Sequence, residues 1–242
     1  MLKKLSLAVA VASAVMSGAA FAESVDSPVG KFDVGMTATF VTDYVSRGTS
    51  LNGGAGTIQG SLDIAHESGL YIGMWGSSMD DMQEKGAGVE IDYYLGYGGN
   101  LTEDVSFDLQ VAAYTYPGSY STDDNGDPID LKSDVEYLAS VGAYGATVGV
   151  KYRTKEAEQL YTYVGYDLEL PAGFGLSAAV GKTQYDDKAD GDDYVDWSLG
   201  VSKTLAGLDL NLTYASTDLD KVECGSAYSC ENNIVFSVSK TF

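Results

Sequence analysis

The chain has 242 residues, with 14 Lys and Arg against 35 Asp and Glu, for a formal net charge of −21. That acidity excludes a nucleic-acid partner, whose binding rests on basic neutralisation of phosphate. Beyond the N-terminus no apolar run reaches the roughly 20 residues a transmembrane helix needs.

The first 22 residues read as an export signal. Lys3 and Lys4 make a basic n-region, Leu5 to Val15 a short apolar stretch, and Ala20-Phe21-Ala22 a small-x-small cleavage site. Signal peptide 1–22 then precedes a mature chain, 23–242, exported through the Sec pathway; losing two lysines takes its charge to −23. An exported chain without a transmembrane helix is a soluble secreted protein or a membrane β-barrel.

Alternation of period two favours the barrel. Twelve segments of about 10 residues alternate as tilted membrane strands do. They lie near 32–45, 56–66, 70–79, 88–98, 105–115, 134–144, 146–154, 159–170, 174–184, 193–203, 208–217 and 232–242. In the first, Phe32, Val34, Met36, Ala38 and Phe40 oppose Asp33, Gly35, Thr37 and Thr39. In the fourth, Val89, Ile91, Tyr93, Leu95 and Tyr97 oppose Glu90 and Asp92. The segments at 70–79 and 159–170 carry apolar or aromatic residues on both faces, which leaves their facing open.

The last segment sets Ile234, Phe236, Val238, Lys240 and Phe242 on one face and runs to the end of the sequence. An aromatic terminal strand of this kind is the expected signal to the barrel-assembly machinery. Lys240 departs from the apolar pattern and is expected to snorkel to the membrane surface. The connections alternate short and long. Tight turns at 67–69, 100–104, 145, 171–173 and 204–207 are expected in the periplasm, and polar loops at 46–55, 80–87, 116–133, 155–158, 185–192 and 218–231 outside. The 18 Tyr suit a bilayer interface, where the ring is apolar and the hydroxyl wet. The expected fold is therefore all-β: a transmembrane, antiparallel, up-and-down β-barrel of about 12 strands in the bacterial outer membrane. A soluble β-sandwich alternates similarly, but it accounts for neither the signal, nor the terminal Phe, nor the turn asymmetry.

Phe40-Val41-Thr42-Asp43-Tyr44-Val45-Ser46-Arg47-Gly48 resembles the N-terminal signature of the TorF-type porins of proteobacteria. So do Gln59-Gly60-Ser61, Ala65-His66-Glu67-Ser68-Gly69-Leu70-Tyr71, Met74-Trp75-Gly76-Ser77 and Glu90-Ile91-Asp92-Tyr93. The similarity is strongest over residues 36–100. It implies a small outer-membrane channel, with no catalytic residue.

If the apolar face meets lipid, the opposite face lines the lumen. That puts Asp33, Asp43, Asp63, Glu90, Asp92, Asp108, Glu136, Asp196 and Asp209 inside, with Lys151 and Arg153 among them and Arg47 at the outer mouth in line with Asp43. Acidic rings favour cations. The expected function is a porin with an acidic, cation-preferring lumen that passes small hydrophilic solutes; its surroundings are outer-membrane lipid and it uses no cofactor. The competing reading is a structural or adhesive barrel, its lumen plugged by paired charges, acting through loop 116–133.

Cys224 and Cys230 sit in the last outer loop and are expected to pair as a disulfide. The acidic runs 123–127 and 186–193 read as solvated loops, since Pro128 stands where an EF-hand loop needs Gly. A hydrolase triad would require the one His, His66, beside a Ser nucleophile; Ser61 and Ser68 are near in sequence, but nothing suggests an oxyanion hole.

Overall fold

The computed structural model describes residues 23–79, 87–119, 121–122, 128–129, 134–154, 158–187, 191–220, 224, 230 and 232–242. The expected export signal at 1–22, Tyr120 and the acidic run 123–127 lie outside the described residues.

The twelve alternating segments form twelve antiparallel strands of one closed barrel. They are β1 (Gly30–Val41), β2 (Thr57–His66), β3 (Leu70–Ser78), β4 (Val89–Asn100), β5 (Val105–Thr115), β6 (Asp134–Ala143), β7 (Ala146–Thr154), β8 (Gln159–Leu170), β9 (Phe174–Tyr185), β10 (Tyr194–Leu205), β11 (Leu208–Thr217) and β12 (Asn233–Thr241). Each pairs with its sequence neighbours. The ring closes where β12 pairs with β1, from Ser237↔Val41 to Thr241↔Thr37. Phe242 seals the seam by exchanging two backbone hydrogen bonds with Met36, at 2.8 and 3.2 Å.

Alternation sets the two faces. Met36, Ile58, Ile72, Leu95, Leu109, Val148, Val180, Leu199, Leu212 and Ile234 are exposed on the outer wall, while Gln59, Asp63, Glu90, Asp92, Lys151, Ser177 and Thr213 are buried on the inner one. This is a soluble protein turned inside out, the pattern of a transmembrane barrel. The facing of the two ambiguous segments is now clear. β3 buries Tyr71 and Ser77 inside and exposes Leu70, Ile72 and Met74; β8 buries Gln159 and Tyr161 and exposes Val164 and Tyr166.

Short turns gather at one end of the barrel and long connections at the other. Tyr144-Gly145 and Ala206-Gly207 have positive φ at both residues, as two-residue hairpins that match strand twist require. Lys240 lies on the outer face at the short-turn end, where its Nζ donates to Gly207 O at 3.4 Å and sits 5.5 Å from the Phe242 ring. Cys224 and Cys230 are bonded, with Cα atoms 5.9 Å apart.

Two features depart from expectation. A short strand, Glu23–Ser27, pairs with β1 from Glu23↔Val34 to Ser27↔Gly30. It takes over the edge of β1 just beyond the end of β12, so that edge stays paired over most of its length. The first strand also ends at Val41 rather than at 45. The chain beyond it turns into the barrel as a small hairpin, Val45–Ser46 against Thr49–Ser50.

An outward position in mid-strand tests the assignment of faces. Leu95→Arg places a charge on the exposed belt of β4 and is expected to destabilise the barrel by about 2–4 kcal/mol, read by reversible urea titration in lipid vesicles. An unchanged midpoint would mean that this face does not meet lipid.

Candidate functional site

The inner face of the upper barrel and the inturned hairpin make one site. The hairpin turns on Arg47-Gly48, with φ of 47° and 77°, again the two-residue turn with positive φ at both residues. Only glycine fits at 48: a Cβ there would lie 2.7 Å from Ser216 O and 2.5 Å from Thr217 Cγ2. The tip is thus wedged against β11, and Asn233 Nδ2 donates to Gly48 O at 3.2 Å. Inside the loop, Ser50 Oγ donates to Asp43 at 2.7 Å and the Tyr44 amide to Asn52 Oδ1 at 3.1 Å. Burial pushes the Asp43 carboxyl above its usual range, partly offset by the hydrogen bonds from Ser50, Gly54 and Tyr44.

Arg47 leaves this turn and crosses to the far wall. It pairs with Glu136 on β6, donates to Gln159 Oε1 on β8 at 2.5 Å, and lies 4.6 Å from the centre of the Tyr161 ring. Glu136 is the meeting point of three cations, for Lys151 Nζ stands 3.5 Å and Arg153 Nε 3.8 Å from its oxygens. Tyr114 OH also donates to it at 2.8 Å. Arg153 reaches Asp134 at 3.9 Å and covers the Tyr114 ring at 4.9 Å. Strand register sets this cluster, since Ala112↔Glu136 and Glu136↔Arg153 are direct neighbours.

The remaining buried carboxylates have hydroxyl partners. Tyr71 OH donates to Asp108 at 2.8 Å, Tyr161 OH to Asp196 at 3.2 Å, Tyr44 OH to Glu90 at 2.9 Å, and Tyr94 OH to Asp63. Asp92 differs in that no hydroxyl holds it; its Oδ1, like Asp108 Oδ2 and Asp196 Oδ2, is buried and receives no hydrogen bond. Part of this wall lines a cavity of about 380 Å³, bounded among others by Tyr44, Arg47, Trp75, Glu90, Asp92, Tyr114 and Arg153.

Of the residues expected inside, Asp43, Asp63, Glu90, Asp92, Asp108, Glu136, Lys151 and Asp196 are buried, and Arg153 is partly so. Three are placed differently. Asp33 and Asp209 occupy the inward parity but lie at the short-turn end, half-exposed or exposed, where Asp33 meets Ser24 and Lys31 and Asp209 accepts from Thr204. Arg47 stays at the loop end of the barrel but is buried and turned inward, because the chain folds in after Val41; its partners Glu136 and Gln159 lie within the first three residues of β6 and β8. The tyrosines that hold the acids were not expected, although Tyr94 shares the parity of Asp92 and Tyr161 that of Gln159. Nor was Asp134 as a partner of Arg153. His66 is a turn residue, its ring between Val29 O at 3.0 Å and Ser68 Oγ at 2.8 Å.

The family model described as "Bacterial protein of unknown function (Gcw_chp)" matches residues 25–242. No curated protein matches the chain. Among solved structures, the COG4313 outer membrane channel from Pseudomonas putida F1 superposes with a TM-score of 0.50 at 13% identity, over 89% of this chain and 96% of that one. A structure of the NanC porin gives a TM-score of 0.50 at 7% identity, over 85% and 98%. At such identities the likeness is one of fold.

Removing the hub separates its two roles. Glu136→Ala strands three cations together and is expected to cost about 3 kcal/mol or more, read by urea titration. Arg47→Ala keeps Lys151 and Arg153 paired but frees the hairpin; amide exchange at residues 43–52 is expected to speed up at least about tenfold with the strands unchanged.

Proposed function

We propose that this chain, which belongs to the Gcw_chp family of bacterial proteins of unknown function, is an outer-membrane porin that passes small hydrophilic solutes and prefers cations. The observation that carries this reading is the composition of the inner face. Among the described residues buried acids outnumber buried bases there, and the two buried bases, Arg47 and Lys151, converge with the partly buried Arg153 on one acid, Glu136. The wall of β2 to β5, with Asp63, Glu90, Asp92 and Asp108, therefore faces the lumen with no salt bridge to its acids among the described residues. In a water-filled pore such a wall concentrates cations and repels anions. The pore-lining roles of Asp43, Asp63, Glu90, Asp92, Asp108, Glu136, Lys151, Arg153 and Asp196 belong to this proposal, with Asp33 and Asp209 at its short-turn mouth.

The barrel fold shared with solved outer-membrane channels supports the reading without naming a solute. So does the resemblance to TorF-type porins. Export through the signal at residues 1–22, and recognition of the strand ending at Phe242 by the barrel-assembly machinery, complete the proposed route to the outer membrane. The inturned hairpin favours a second reading, in which the resting barrel is closed and Arg47 is its latch.

Single-channel recording of the refolded mature protein in a planar bilayer under a salt gradient tests both. The open porin gives discrete cation-selective steps, and Glu90→Gln with Asp92→Asn shifts the reversal potential toward zero. A latched barrel is silent until Arg47→Ala opens it. Anion-selective current, or silence in the Arg47→Ala barrel, would overturn the proposal.

A further inference from the structure

The carboxylates of the inner wall differ in one respect. Most are held at one oxygen by a tyrosine or serine hydroxyl, with Oδ2 of Asp108 and of Asp196 left without a donor, whereas no hydroxyl holds Asp92 at either oxygen although it is only 7% exposed. A buried carboxylate oxygen without a donor is costly unless a donor arrives from elsewhere. Arg153 and Lys151, which line the same cavity, are already engaged, Arg153 by Asp134 and Glu136 and Lys151 by Glu136.

The neighbours of Asp92 are aromatic. In strand register it lies beside Trp75 on β3 and Tyr114 on β5, and all three line the cavity. Tyr44, on the inturned loop, packs against the Trp75 ring with centroids 5.4 Å apart and donates its hydroxyl to Glu90. The arrangement is a carboxylate that no hydroxyl holds, with aromatic residues as its strand neighbours and a second carboxylate two residues away on the same face. Rings attract cations through their quadrupole and cover an alkyl chain by apolar contact. A cavity of about 380 Å³ is of small-molecule size.

The geometry points to a binding subsite at Asp92 for small organic cations that carry N–H donors on an apolar stem, such as primary alkylammonium ions. The N–H supplies the hydrogen bond that Asp92 Oδ1 lacks, Glu90 adds to the field, and Trp75 and Tyr44 cover the stem. This deepens the cation-preferring channel and rests on that reading, since the ion reaches Asp92 through the lumen.

The chain has two Trp, and Trp197 lies on the outer wall. Trp197→Phe therefore leaves Trp75 as the reporter. The refolded mature protein in this background is titrated with n-butylammonium at constant ionic strength, against tetramethylammonium, which has the charge without N–H, and against K⁺. The expected result is a saturable change in Trp75 emission with n-butylammonium, a midpoint lower than for the other two ions, and a shift of about tenfold or more in Asp92→Asn. Asp108→Asn, whose carboxylate is held by Tyr71, is expected to leave the midpoint unchanged. If Asp92→Asn does not refold, block of K⁺ current by n-butylammonium in Trp75→Leu replaces it, and weaker block is expected. Equal midpoints for the three ions would reduce Asp92 to a counter-ion position and overturn the subsite. No saturable change in a barrel that conducts cations would overturn the subsite and leave the channel standing. Binding that Asp92→Asn abolishes, in a barrel silent even as Arg47→Ala, would support the subsite and remove the channel.

Discussion

The ladder between β12 and β1 is the constraint on which the rest depends. A sheet whose outer face is apolar cannot leave an edge unpaired in a hydrocarbon layer, where an unsatisfied backbone group costs several kcal/mol. The terminal strand supplies the last row of bonds, and Phe242 closes it against Met36. Below that point the short strand Glu23–Ser27 pairs with β1, so the register is fixed from residues 23–27 as well as from 237–242. Closure in turn fixes which residues point inward, because a slip of one position would turn Asp92 and Lys151 toward lipid.

The interior accounts for two features of the composition, many Gly and many Tyr. Several inward tyrosines lie over inward glycines of a neighbouring strand. A Cβ at Gly73 would sit 2.3 Å from the Tyr94 ring, at Gly96 2.2 Å from Tyr71, at Gly149 2.4 Å from Tyr163, and at Gly181 2.1 Å from Tyr161. Each ring fills the space that a side chain would take, and its hydroxyl is carried sideways along the wall. That is how Tyr71, Tyr94 and Tyr161 reach Asp108, Asp63 and Asp196. Outer tyrosines such as Tyr93, Tyr97 and Tyr166 remain for the bilayer interface. The sequence therefore has two tyrosine populations, and only strand parity separates them.

Parity made much of the fold legible. A strand has a period of two, so alternation alone sorted Glu90 and Asp92 from Ile91 and Tyr93. Depth along the barrel is another matter, because alternation does not say how far a residue sits from the strand end; Asp33 and Asp209 share the inward parity but sit at the short-turn end. The hairpin was hidden for a different reason. Phe40, Thr42 and Tyr44 keep alternating with Val41, Asp43 and Val45, so the pattern runs on past the true end of β1. Whether the following turn points out or in is decided by Glu136 and Gln159, which are 89 and 112 residues away from Arg47. No local window contains that information.

Anchoring the hairpin by charge rather than by apolar packing has a consequence for the lumen. A greasy plug would narrow the passage without affecting its field. Arg47 narrows it and, by joining Lys151 and Arg153 at Glu136, also gathers the fixed cations on the side of β6 to β8. The acids of β2 to β5 keep the opposite side, with tyrosine hydroxyls holding most of them in place. A buried ion pair adds little net stability compared with apolar residues of similar size. The cluster is therefore better understood as setting the position of charge than as holding the barrel together, since the closed ladder already does that. One interaction then governs both how the hairpin fills the lumen and where the fixed cations stand within it.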